Sequence, residues 1–224
     1  MSNYQDIYRD LPSRVYEVWQ RTKRVQEKES EDRSVTAMLM AAAAGLAMPW
    51  ENLKTEGLDK KEKWRDHPAF NHVDQSKYKS ALKSCNSFLK QPINGCHGLQ
   101  NAVLMPCQEL RNIRDAAKCG HGDASLDISK HDVRFALKIM RNALSHNNIF
   151  DIPDSQDRIE KLVFFSENRT GSGCKSTVDG WHVLTISVKS FEDFLNAWFD
   201  LLKGQDSFIG AAMALAGEDN NLPD

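Results

Sequence analysis

An excess of positive charge is missing from this sequence. Lys and Arg number 29 against 31 Asp and Glu, and the formal net charge is −2. A protein that grips nucleic acid through its bulk field carries a basic surplus, which displaces counterions from the phosphates. Here any such contact has to come from a local basic patch. Long hydrophobic runs are missing too. The longest, "AMLMAAAAGLAMPW" (37–50), falls short of the ~20 apolar residues that a bilayer-crossing helix needs. It reads as a buried core helix, and no membrane is expected. "MSNYQDIYRD" (1–10) has no apolar h-region, so no signal peptide is expected. The cysteines, at 85, 96, 107, 119 and 174, are odd in number and not spaced as a small disulfide scaffold. Reduced thiols in a cytoplasmic protein are the expectation. Asn168-Arg169-Thr170 matches a glycosylation acceptor, which has no weight without a secretion signal. Internal repeats and low-complexity segments are also lacking.

What is present suits one soluble domain, 1–224, with at most an insertion: 224 residues, 41% hydrophobic and 27% charged. Residues 11–30 pattern as a helix with Leu11, Val15, Val18, Trp19 and Val25 near one face. A second helix, about 32–48, is apolar on most sides and is ended by Pro49. Residues 54–95 are charged and punctuated by Pro68 and Pro92, and read as an insertion or lid. A third helix spans 98–118, kinked or split by Pro106, and "CGHGD" (119–123) is a loop. The fourth helix begins near Ser129, with Asp132 completing a partial capping box. It runs to about Ser145, where Asn147 and Asn148 stop it, and Pro153 breaks the segment after them. "KLVFF" (161–165) and "WHVLTISV" (181–188) form a β-hairpin, with Leu184, Ile186 and Val188 on its one buried face. A last helix, 190–203, buries Phe191, Phe194, Leu195, Trp198 and Leu202, and 204–224 is a tail. The expected fold class is mainly α: a helical bundle with one β-hairpin before the last core helix.

The fourth helix carries the chemistry. At about 100° per residue, Val133, Leu137, Met140 and Leu144 share a core stripe. Arg134, Lys138, Arg141 and Ser145 share a basic one. Phe135 and Ile139 lie opposite the core stripe, and Asn142 and His146 continue their line. A bundle helix needs one apolar face. The second would cover the insertion, the hairpin or another subunit. Arg141, Asn142 and His146 together suit phosphodiester work. A histidine exchanges protons near neutrality, an arginine holds phosphate oxygens and stabilises charge that builds there, and an asparagine orients either. No carboxylate cluster accompanies them, so no metal is required. The plainer reading also stands: an arginine and a histidine in a last turn favour the helix dipole and bond its final carbonyls.

The pattern Arg141, Asn142, His146 ending an amphipathic fourth helix resembles the HEPN superfamily. "EDRSVTAMLMAAAAGLAMPWENL" (31–53), the hairpin, and the Phe191–Trp198 stretch are similar to a bacterial HEPN subgroup. The resemblance covers about three quarters of the chain and leaves out 54–95. It implies a helical bundle, usually a homodimer whose two motifs face each other across one cleft. It further implies a metal-independent endoribonuclease of toxin–antitoxin, abortive-infection or phage-defence systems. His146 would be general base or acid, Arg141 would bind the scissile phosphate and Asn142 would orient. The product would end in a 2′,3′-cyclic phosphate. The basic stripe adds Arg134, Lys138 and Ser145 as contacts to RNA, whether tRNA or mRNA. No cofactor is expected, and an antitoxin or other defence-system partner fits the class. Some family toxins continue the motif as His-x-Tyr, the tyrosine being modified by a partner enzyme. Asn148 stands there, so that silencing route is not expected. Other members have lost catalysis, which leaves a module that binds RNA or a partner protein as the alternative.

Further constellations point nowhere sharper. Cys96-His97 and Cys119-x-His121 lack the paired spacing of a zinc site and read as structural cysteines and loop histidines. "GSGCKST" (171–177) lacks the early glycine of a phosphate-binding loop, and Cys174 interrupts its Gly-Lys pair. It reads as a hairpin tip, where Lys175 and Arg169 are exposed basic residues. "LDKKEKWRDH" (58–67) reads as a solvated charged face, although Trp64 has the flanking cations of a base-stacking residue.

Overall fold

Four strands, where one hairpin was expected, organise the middle of the chain. The structure is a computed structural model that describes residues 7–26, 34–56, 87–119, 130–170 and 177–203. Contacts divide the chain into two units, Leu89–Ala197 and the remainder, Met1–Phe88 with Trp198–Asp224.

In the first unit by sequence, α1 (Ile7–Gln26) and α2 (Ser34–Glu56) pack with the residues of the last helix that come after Ala197. Tyr16, Trp19 and Phe199 form an aromatic cluster with ring centroids 5.4–6.1 Å apart. Gly45 is required in α2, since a Cβ there would lie 2.3 Å from Phe199 Cζ. Its carbonyl accepts a 2.8 Å hydrogen bond from Trp198 Nε1, satisfying a buried donor. Two expectations change. Val18 and Val25 are 63% and 55% exposed, so Trp19 rather than a valine stripe anchors α1. Pro49 does not end α2, which continues to Glu56. A proline removes one bond from the helical ladder, and the bonds on either side carry the helix on. Of the expected insertion, 57–86 lies outside the described residues, as do the loop from residue 120 and the tail 204–224.

The second unit is built on an antiparallel sheet of β1 (Val103–Cys107), β2 (Ile149–Pro153), β3 (Ile159–Thr170) and β4 (Thr177–Ser187), in the order β1-β4-β3-β2. This overturns the expected helical bundle with one hairpin. The helix expected over 98–118 is instead β1, a 3-10 turn at Leu110–Asn112 and the short α3 (Ile113–Cys119). Leu104, Met105 and Cys107 are buried there. Pro106 is tolerated because β1 is an edge strand, where a missing N–H need not cost a ladder bond. β2 falls where a loop was read. It pairs with β3 through a turn in which Asp154 Oδ1 accepts from the Gln156 and Arg158 N–H groups at 2.7 and 3.0 Å. β4 is central, so Val183, Leu184, Thr185 and Ile186 are all buried. Both its faces are covered, where one was expected.

One face holds Met105, Cys107, Val163 and Val183 under Ile113 and Ala117 of α3. On the other, α4 (Val133–His146) lies over β3 and β4. The last helix, α5 (Val188–Lys203), adds Phe191, which meets Phe164 at 5.1 Å. All five apolar residues expected to face inward from α5 are buried. Each such burial contributes about 1.5–3 kcal/mol. Gly98 brings the chain against α5: its φ is +84°, and a Cβ would meet Phe194 N at 2.3 Å.

Candidate functional site

α4 is bounded by its own sequence. Asp132, extended and outside the helix, accepts from Phe135 N–H at 3.0 Å. It is the N-cap, so the helix begins at Val133 and not near Ser129. At the other end Asn147 takes the left-handed conformation (φ 55°, ψ 34°), and the Asn148 N–H returns to the Ala143 carbonyl at 2.9 Å. Asparagine is the non-glycine residue best suited to that position. The chain then turns directly into β2.

Val133, Ala136, Leu137, Ile139, Met140 and Ala143 are buried. At about 100° per residue they form one continuous arc of about 160°. The helix thus has one broad inner face, not two opposed ones. Ile139, 1% exposed, belongs to this chain's own core, and Phe135 meets His182 of β4 at 5.0 Å. Among the described residues the hairpin covers the Phe135 side, through His182.

The outer face brings the expected residues together. Arg134, Lys138, Ser145 and His146 are exposed, and Arg141 and Asn142 are half-buried. Arg141 Nη1 donates to Asn142 Oδ1 at 2.8 Å. That bond steers the guanidinium toward Asn142, which is one turn from His146 on the same side of the helix. Among the described residues no group hydrogen-bonds the His146 ring, and no carboxylate pairs with Arg134 or Lys138. The arrangement is a ridge. It presents two unpaired cations, a tethered guanidinium and an imidazole to whatever docks there.

Beside the ridge is a cluster that sequence reading missed. The His131 ring stacks on Phe135, with centroids 4.4 Å apart and planes 23° apart. The edge contact between Phe135 and His182 completes the group. Burial, followed by the positive Lys138 and by His131, holds the His182 imidazole below its ordinary value. Its Nδ1 is sealed without a hydrogen-bond partner among the described residues. The His131-x3-Phe135 spacing was a visible signal. His182 had none, because only strand pairing brings it near.

The remaining candidates do not converge. Cys96 is buried, and burial pushes its thiol up to about 11, while neighbouring His97 is exposed. His121, Lys175 and Trp64 lie outside the described residues. Arg169 Nε pairs with Glu167 at 2.6 Å. Among the described residues no group of His, Cys, Asp and Glu is placed to hold a metal ion, and no helix is long and apolar enough to cross a membrane.

The family model described as HEPN pEK499 p136 matches residues 1–207. No curated protein and no solved structure matches the chain.

Proposed function

The chain belongs to the HEPN pEK499 p136 family, and from that premise we propose that it is a metal-independent endoribonuclease of a bacterial defence or toxin–antitoxin system. The carrying observation is the Arg141–Asn142 hydrogen bond one turn from His146. His146 removes the proton of a ribose 2′-OH. The 2′ oxygen attacks the adjacent phosphorus, the bond to the 5′ oxygen breaks, and a 2′,3′-cyclic phosphate remains on one fragment. Arg141 binds the phosphate oxygens and stabilises the added charge, which is the work a metal ion does in other nucleases. Asn142 fixes the guanidinium. Arg134, Lys138 and Ser145 hold the flanking backbone of the RNA, a tRNA or an mRNA.

The departing 5′ oxygen needs a proton. One exposed ridge offers one imidazole, so a homodimer with two ridges facing supplies the second. In that arrangement His146 of the other copy is the acid. The seam uses the outer face of α4, because Ile139 is already spent on the chain's own core. The protein acts in the cytoplasm, where RNA and a restraining antitoxin or defence partner would meet it.

The test is incubation of wild type, His146→Ala and Arg141→Ala with total RNA and tRNA in EDTA, followed by mapping of the ends. Wild type should leave cyclic-phosphate ends. Each variant should lose at least ~100-fold in rate, the usual worth of a general base or of a preorganised charge, with circular dichroism unchanged. Equal cutting by wild type and His146→Ala would refute the assignment. One observation favours a second reading: no described group orients the His146 ring, as a triad-like base requires. On that reading the protein binds RNA or a partner protein without cutting, and His146→Ala leaves binding unchanged.

A further inference from the structure

We propose that His131, Phe135, His182 and Lys138 form a nucleotide subsite that holds one unpaired RNA base beside the Arg141–Asn142–His146 ridge. This rests on RNA being the ligand of α4. The His131 and Phe135 rings already stack at 4.4 Å, and among the described residues no ring covers the far face of His131. A base laid there extends the stack by one layer. Stacking needs only a π face, so this subsite accepts a base by shape.

The support behind the stack is rigid. The His131 carbonyl accepts from Ile93 N–H at 3.0 Å, and Val133 N–H donates to the Gln91 carbonyl at 2.9 Å. Pro92 and Asp132 form a bridge between the same two segments. His131 is thus held by backbone on both sides and loses little freedom when a base docks. His182 adds a polar contact. A buried N–H with no acceptor is the rarer kind of orphan, so sealed Nδ1 keeps the lone pair and Nε2 carries the proton. The ring then offers a donor to a base oxygen or ring nitrogen. Its neutral form fits that role, since burial, Lys138 and His131 all disfavour the charged one.

Lys138 supplies the phosphate contact. It is exposed, and no described carboxylate claims it. Phe135 lies about 16 Å along the axis from His146, the span of about five stacked nucleotide steps. The base held by the cluster is therefore several nucleotides along the strand from the bond His146 would cut, and α4 carries no acidic residue to interrupt the path.

Binding tests this apart from cleavage. Two 5′-fluorescent twelve-nucleotide RNAs are titrated by anisotropy against the full-length His146→Ala chain: oligo(A), and an oligomer of abasic riboses. Adding His131→Ala should weaken oligo(A) roughly tenfold, the usual loss of one stacked base, and leave the abasic oligomer unchanged. His131→Phe should restore oligo(A). Lys138→Ala should weaken both oligomers alike and lower the salt slope by about one. Equal oligo(A) affinity with and without His131→Ala overturns the subsite, and so does an equal loss on both oligomers or no binding by the parent. The two proposals fail separately. A wild type that cuts RNA although His131→Ala binds oligo(A) normally keeps the nuclease and loses the subsite. A wild type that cuts nothing while binding depends on His131 does the reverse.

Discussion

Thr185 occupies the centre of the sheet, between Val103 of β1 and Val163 of β3. It is 5% exposed, and its Oγ1 is enclosed with no hydrogen-bond partner among the described residues. An enclosed hydroxyl left unpaired costs about 1–3 kcal/mol by mutational measure. Thr185→Val keeps the branched shape and the strand preference and removes the hydroxyl. The variant should be more stable by about 1–3 kcal/mol. With a urea slope of about 2 kcal/mol/M, the unfolding midpoint should rise by about 0.5–1.5 M at constant slope. Thr185→Ser is the control. It keeps the orphan and loses a buried methyl, so it should lower the midpoint. An unchanged or lower midpoint for Thr185→Val, at constant slope, would mean that the hydroxyl has a partner and would refute the reasoning. The residue alternates with His182, Leu184 and Ile186 and so faces away from α4. Any RNA cleavage should therefore be unchanged.

Two further outcomes concern α4 and its neighbours. Asp132→Ala removes the cap on Phe135 N–H and should cost about 1 kcal/mol in urea unfolding; Asp132→Asn should recover most of it, and equal midpoints for wild type and Ala would dismiss the cap. His182 is held below its ordinary value of 6.5 by burial, Lys138 and His131. Between that lower folded value and 6.5 the unfolded chain binds more protons, so stability is full above 6.5 and falls as pH drops through the window. The difference in urea midpoint between wild type and His182→Gln should shift against wild type between pH 7.5 and pH 5.5, and parallel midpoints would refute the shift.

Some of the fold was legible because neighbours in sequence decide it. The α5 spacing placed Phe191, Phe194, Leu195, Trp198 and Leu202 inward, and they are buried. Asn147 was readable as a stop because its left-handed conformation costs asparagine little. The β-branched and aromatic runs around 161–165 and 181–188 marked the two long strands. β1 and β2 were not legible. Each is short, and each exists by pairing with a strand already there, β4 and β3. "VLMPC" and "IFDIP" have no local pattern that announces a strand, and the prolines in both argue against one until the edge position is known.

The candidate site divides the same way. Helical periodicity alone grouped Arg134, Lys138, Arg141 and Ser145 on one stripe and put Asn142 a turn before His146, because covalent geometry sets which side chains share a face. Tertiary structure alone decided that Ile139 faces inward, that Phe135 is met by the hairpin, and that His182 stands beside His131 and Lys138. Those relations join residues far apart in the chain. They depend on which strand pairs with which, and no local rule of spacing contains that information.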